Sequence, residues 1–403
     1  MFLIVDTLRA DRLGCYGYDK NISPNIDEVA TQSAVFDQAY VQWASSLPSH
    51  ASIMTSLQPH LHGAFPNGNE LNPELLTLAK VLKAYGYTNG AFVTNSLVGN
   101  QYNFEIGFDR FFDLAQVEYT NSTFSAWVHT LNIIRVIDQL QHSDIYTELA
   151  ISWIDENKDK PMFLWVQWLH PHDPYEPPPK FLDIAAPTNG ATDADKYEYD
   201  RSVLYDGEVA YTDFLIGQIV DKLKESNLLD NTLLVITSDH GENIYDHNVG
   251  KGPAGVYDSS IRVPLIFRFP KQLPVNKRVD QVVQSIDISP SILDILDIPK
   301  PKQFQGNSLK PLMFDDAADW QSVAHSTMLQ KRRNFFALRS DDWKVILHVF
   351  DDKEKEFELY HIPSDPGELE NRIETETAIA DSLKQALTNW IGTNFKPVEI
   401  AYT

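Results

Sequence analysis

Cysteine is almost absent. Cys15 stands alone among 403 residues, which excludes an internal disulfide and any cysteine-cluster metal site and fits a reducing compartment. No run of eighteen apolar residues occurs, so no transmembrane helix is expected. Met1-Phe2-Leu3-Ile4-Val5-Asp6 enters a buried-strand pattern directly, without the charged, apolar and small-residue regions of a secretory leader. The expectation is a cytoplasmic protein, unless the chain is a mature or trimmed form. Basic residues are scarce too: 33 Lys and Arg against 56 Asp and Glu leave a formal charge of −23. That surface disfavours nucleic acid and anionic membranes. An anionic substrate would need a metal or local cations to reverse the field at its site. Repeats and low-complexity linkers are also missing.

What is present supports a sizeable core, with 43% hydrophobic and 11% aromatic residues. The length allows one large α/β domain plus a smaller companion, and the changed character of the tail divides them at 1–320 and 321–403. Phe2 to Val5 is an unbroken apolar run that ends in Asp6, as in a central parallel strand delivering a functional group. Ser23-Pro24-Asn25 reads as a helix start, with Ser23 as its cap. Val35 to Val41 is strand-like and leads into Ser45-Ser46-Leu47-Pro48-Ser49-His50, a hydroxyl-rich loop opening a helix whose first N–H groups favour an anion.

Further on, Leu75 to Ala84 has helical spacing and Gly86 ends it. Thr88 to Thr94 is strand-like, with Asn95 at its end. Residues from about Val117 to Tyr146 have helical patterning. Phe163 to Leu169 is a buried strand followed by His170-Pro171-His172-Asp173-Pro174, where flanking prolines hold the loop stiff. Tyr205 to Lys224 is an amphipathic helix. Leu233 to Thr237 is a strand that ends in Ser238-Asp239-His240-Gly241, a carboxylate and an imidazole side by side, and the glycine permits close approach. Lys251 lies in a Gly-rich loop, and Ile261 to Phe267 is another strand.

Strands alternating with helices predict a doubly wound, mostly parallel sheet with helices on both faces, whose ligand site lies at the carboxyl ends of the strands. Asp6, Asn95, His172 and Asp239-His240 then share one edge. In the tail, Phe335 to Arg339, Trp343 to Val349 and Phe357 to Tyr360 read as a small antiparallel meander, followed by a helix from about Glu374 to Ile391.

Together these motifs resemble the sulfatases of the alkaline-phosphatase superfamily over nearly the whole length. The resembling stretches are Leu3 to Gly17, Ser23 to Asp27, the Ser46 loop, His172-Asp173-Pro174-Tyr175, Thr237 to Glu242, Ile261 to Ile266, and Glu358-Leu359-Tyr360 with Ser364-Asp365-Pro366-Gly367-Glu368. The resemblance implies an alkaline-phosphatase-like fold and a metal-dependent sulfuric-ester hydrolase acting on a small-molecule or glycan sulfate ester. It also implies one divalent cation, calcium, held by Asp6, Ser46, Asp239 and His240, with manganese or zinc left open. Ser46 occupies the nucleophile position, His172 that of the leaving-group acid, and Lys251 that of a sulfate-binding lysine. His50 and Lys251 would neutralise growing charge, and His170 and His247 are secondary candidates.

The chain also departs from the family pattern. Thr7 replaces a second aspartate, His50 replaces the arginine of the Pro-Ser-Arg pattern, and Thr94-Asn95-Ser96-Leu97 stands where a Lys-x-His pair is often found. Family enzymes usually convert the residue at the Ser46 position to formylglycine, and His50 weakens that expectation. An unmodified Ser46 leaves open a phosphoester or phosphodiester hydrolase or a phosphotransferase. A catalytically silent anion-binding homologue is the other alternative. The segment from about Phe181 to Lys196 is expected to contribute substrate-binding loops.

Overall fold

The computed structural model describes residues 1–65, 69–113, 143–186, 200–247, 254–315, 319–330, 332–352 and 354–395. The predicted helix over 117–146 falls mainly outside them, as do Lys251 and the later part of the Phe181–Lys196 segment.

The large sheet contains β1 (Phe2–Val5), β2 (Ala34–Tyr40), β3 (Thr88–Val93), β4 (Arg110–Phe112), β5 (Met162–Trp168), β6 (Leu234–Ser238), β7 (Arg262–Arg268) and β8 (Lys277–Gln284). Its order is β4-β3-β5-β1-β6-β7-β2-β8. β1 pairs in parallel with β5 and β6, and β3 with β4 and β5. β7 runs antiparallel to β6. The mostly parallel α/β sheet expected from the sequence is therefore present. β1 is fully buried along its length, as the unbroken apolar run requires of a central parallel strand. β4 and β8 had no strong sequence signal: the first has three residues, and the second carries lysine, arginine and aspartate on a half-exposed edge.

The chain divides into two compact units. One comprises Met1–Val35, Leu76–Ser238 and Pro264–Arg278; the other comprises Phe36–Leu75, Asp239–Val263 and Val279–Thr403.

In the first unit, α1 (Pro24–Ala30) starts after Ser23 as expected, but the Ser23 side chain does not cap it. Its Oγ instead accepts from the Gly14 N–H at 3.0 Å and donates to Asp27 at 3.1 Å. The carboxylate of Asp213 does the capping, accepting from the N–H groups of Asn25 at 3.1 Å and Ile26 at 2.8 Å. Asp213 belongs to the 25-residue helix Arg201–Glu225, and burial pushes its carboxyl up to about 6.

In the second unit, α2 (Ser46–Thr55) is buried along all ten residues. Its hydroxyl-rich sequence is tolerated because each group has an internal partner. Thr55 donates to the Ala51 carbonyl at 2.6 Å, and Ser52 lies 3.0 Å from His62 Nε2. The antiparallel sheet has four strands, β9 (Val323–Met328), β10 (Arg333–Ser340), β11 (Trp343–Phe350) and β12 (Lys355–His361), in consecutive order. Asp341 turns β10 into β11 with a φ of 46°. The helix α7 (Thr377–Asn394) supplies Ala380, Leu387 and Ile391 to a core shared with Phe336, Val345 and Leu359. Other helices of seven residues or more include α3 (Leu78–Ala84), α4 (Ser143–Asn157), α5 (Arg201–Glu225) and α6 (Ile288–Ile295).

Candidate active site

Strand register fixes which residues leave the sheet together. Val5 is level with both Trp168 and Ser238, and Val93 with Gln167. The chain therefore continues from the same edge into Asp6, Leu169-His170, Asp239 and Thr94-Asn95, the carboxyl edge where open α/β sheets bind ligands.

In the first unit, Asp6 is fully buried, and its backbone N–H still bonds to the Trp168 carbonyl at 2.9 Å. The Asn95 amide donates to Asp6 Oδ2 at 2.5 Å, and the Gln167 amide donates to the same oxygen at 3.3 Å. Gln167 in turn uses its carbonyl oxygen to accept the N–H groups of Thr94 and Asn95, at 3.1 and 2.9 Å. One carboxylate oxygen is thus held by two amides that are themselves locked together. Asn95 was legible as a strand end on the ligand edge, whereas Gln167 was not; its available signal was a polar residue interrupting the apolar run of β5. Thr7, next to Asp6, has a φ of 53°, a costly conformation for a β-branched residue that persists only where neighbours enforce it.

The loop after β5 holds its two histidines differently. His170 is buried, hydrogen-bonded through Nδ1 to Glu208, and lies edge-on to Tyr211 at 4.9 Å. It is thus engaged in packing. His172 is half-buried, and its Nδ1–H donates to the Asp173 carbonyl at 2.6 Å. That bond assigns the other ring nitrogen, Nε2, to any exchange of a proton with a substrate.

In the second unit, Ser46 is the first residue of α2, with Ser45 extended before it. Its Oγ lies 3.3 Å from His240 Nε2. His240 donates from Nδ1 to the Gly241 carbonyl at 2.9 Å, so in the neutral ring the lone pair sits on Nε2. The same Nε2 lies 3.5 Å from Asp239 Oδ2. Asp239 Oδ1 accepts from the His240 N–H at 2.8 Å, and the Asp239 carbonyl accepts from Ser49 Oγ at 2.5 Å.

His50 is fully buried. It donates from Nδ1 to the Ser46 carbonyl at 2.9 Å and lies 3.4 Å from Asp239 Oδ2. Burial lowers its pKa, against the opposing pull of Asp239. The neutral ring therefore acts as a hydrogen-bonding brace between Ser46 and Asp239, where an arginine would bring a full charge. Gly241 permits the turn that follows: a Cβ there would sit 2.1 Å from the Ser259 carbonyl oxygen. His247 stacks on Tyr257 with ring centres 3.7 Å apart.

A sulfatase family profile matches residues 1–298, and the C-terminal profile of N-sulphoglucosamine sulphohydrolase matches residues 254–392. The chain belongs to the sulfatase family. It is 24% identical to an N-acetylglucosamine-6-O-sulfatase of Bacteroides thetaiotaomicron, over 92% of this chain and 82% of that one. It is also 24% identical to an arylsulfatase of Clostridium perfringens, over 93% of this chain and 90% of that one. A solved protein in complex with its substrate D-glucosamine-2-N,6-O-disulfate superposes with a TM-score of 0.79, at 21% identity and covering 99% of this chain and 98% of that one. The phosphonate monoester hydrolase of Agrobacterium radiobacter also scores 0.79, at 20% identity, covering 98% of this chain and 95% of that one. These two likenesses establish a shared alkaline-phosphatase-like fold. Family membership makes the chain a sulfuric-ester hydrolase.

Proposed function

We propose that this sulfatase cleaves sulfate esters of glycans with Ser46 as nucleophile and His172 as leaving-group acid. The sulfated-sugar specificity is supported by the B. thetaiotaomicron relative, an N-acetylglucosamine-6-O-sulfatase. The observation that carries Ser46 is that its hydroxyl oxygen lies 3.3 Å from His240 Nε2, the ring nitrogen that the Nδ1–H bond to the Gly241 carbonyl leaves available to a cation.

A single divalent cation belongs to this reading. The family resemblance assigns Asp6, Asp239 and His240 to it; two carboxylates and an imidazole, each buried, are donor types that fit such an ion. Calcium is the proposed ion, and the imidazole also suits manganese or zinc. When bound, the ion supplies Lewis acidity to the sulfuryl oxygens and lowers the pKa of the nucleophile.

The chain's own groups do the rest. The Ser46 hydroxyl gives up its proton to solvent water as its oxygen attacks sulfur, the S–O bond to the sugar breaks, and His172 Nε2–H gives its proton to the departing alcohol oxygen, to be reprotonated from solvent. Asn95 and Gln167 fix Asp6, and His50 fixes Asp239 relative to the Ser46 carbonyl. Water then attacks sulfur and releases Ser46 as its alcohol with hydrogen sulfate as product. If Ser46 is converted to formylglycine, one hydroxyl of the hydrate attacks and the second expels sulfate. Lys251 is proposed as an anion-binding cation.

A serine hydroxyl, with a neutral His50 beside it, also favours a second reading: transfer or hydrolysis of a phosphoester, whose seryl intermediate water opens more readily. The test is a screen of sulfated glycans, aryl sulfates and phosphodiesters with defined metals, combined with mass spectrometry of the Ser46 peptide. Turnover of sulfated glycans supports the first reading. Turnover confined to phosphoesters, with Ser46 unmodified, overturns it.

A further inference from the structure

Three residues of α5, Arg201, Tyr205 and Glu208, follow one another at i, i+4 and i+7 and so lie on one helical face. Each grips a loop that leaves the carboxyl edge of β1 or β5, two strands paired directly with each other. Tyr205 is fully buried; its hydroxyl donates to the Thr7 carbonyl at 2.7 Å and accepts from the Arg9 N–H at 2.9 Å. It thereby ties down the backbone on both sides of Leu8, beginning at Thr7, the positive-φ residue that follows Asp6. The Tyr205 ring also meets Tyr175 edge-on at 5.5 Å, which joins the β1 loop to the His172 loop.

Glu208 is buried and grips the other loop on both sides of His172. One oxygen pairs with His170, and the other accepts from the Glu176 N–H at 2.7 Å. Arg201 closes the gap: it pairs with Asp173, whose carbonyl accepts from His172, and its guanidinium lies 4.6 Å over the Tyr175 ring. A buried carboxylate, a buried phenol and an arginine thus converge on two backbone segments, and none of the three takes part in the chemistry proposed above.

We propose that this face of α5 is a positioning clamp, in which Tyr205 sets the Asp6 carboxylate and Glu208 with Arg201 sets the His172 ring. The clamp rests on the proposed roles of Asp6 and His172. The two halves have separate readouts.

Tyr205→Phe keeps the ring and removes the hydroxyl. Equilibrium dialysis against calcium, manganese or zinc is expected to show metal affinity about 10- to 100-fold weaker, the scale for partners behind a metal ligand. The rate is expected to recover at saturating metal. Glu208→Gln is expected to slow an alkyl sulfate at least about tenfold and to leave 4-nitrophenyl sulfate nearly unchanged, because nitrophenolate departs without a proton. Should Glu208→Gln fail to fold, Arg201→Lys, at the half-buried end of the face, carries the same expectation.

Wild-type metal affinity in Tyr205→Phe, or equal effects on both esters in Glu208→Gln, overturns the clamp. Asp6→Asn and His172→Gln test the underlying roles separately. If those two keep wild-type metal affinity and leaving-group response, the reading of the site fails before the clamp is reached.

Discussion

Ser46 and His240 are joined by a directional relationship: the Ser46 hydroxyl oxygen lies 3.3 Å from Nε2 of a histidine whose Nδ1–H is committed to the Gly241 carbonyl. The tautomer follows from the backbone turn after β6, so the lone pair facing Ser46 is fixed before any ligand arrives. Asp239→Ala is expected to lose bound metal and activity together, with the rate falling more than about 100-fold while circular dichroism stays native. Metal analysis of the purified variant checks this.

Asn95→Ala withdraws the shorter of the two amide bonds to Asp6 Oδ2. The expected outcome is metal affinity weaker by about tenfold or more, with kcat restored at high metal concentration. A metal titration of the initial rate separates this from simple inactivation.

Gly241→Ala must push a Cβ against the Ser259 carbonyl. Overpacking of this kind costs about 1–3 kcal/mol, so the melting temperature is expected to fall by about 1–4 °C, which calorimetry reads directly.

Lys344 is fully buried between Asp258, at 2.7 Å, and Glu368, at 2.6 Å. Its charge holds the Asp258 carboxyl low, while burial pushes that of Glu368 up. Lys344→Met strands two acidic groups without their cation and is expected to destabilise the protein by about 3–5 kcal/mol, measured by denaturant unfolding. A further Glu368→Gln change is expected to return part of the loss.

Burial pushes Asp287 up to about 7 from the ordinary carboxyl value of 3.8. A raised acid keeps its proton longer in the folded state, so its stabilising contribution is complete below about pH 4 and is lost as pH rises toward 7. Unfolding free energies measured across that window should show this downward contribution, and Asp287→Ala should flatten it.

Much of this architecture was legible because long buried strands announce themselves. The apolar run before Asp6 and the one before Asp239 read as parallel strands, and both are. Edge strands β4 and β8 were not legible, since short or half-exposed pairing leaves little hydrophobic pattern. Ser23 was read as a cap because of its type, yet the capping carboxylate comes from Asp213, nearly two hundred residues away. Such a partner has no local signal. The same holds at the site: Asp6, Ser46, Asp239 and His240 carry motifs, whereas Tyr205 bonds the Thr7 carbonyl and the Arg9 N–H and Glu208 bonds the Glu176 N–H, backbone groups that any sequence possesses.

The central claim is that Ser46 is the reacting group of a sulfuric-ester hydrolase. The direct measurement is sulfate release from a 6-O-sulfated amino sugar by wild type and Ser46→Ala, loaded with the same metal and quantified by ion chromatography. The account predicts sulfate from the wild type and none above background from Ser46→Ala with its metal retained. Undiminished release by Ser46→Ala would contradict it.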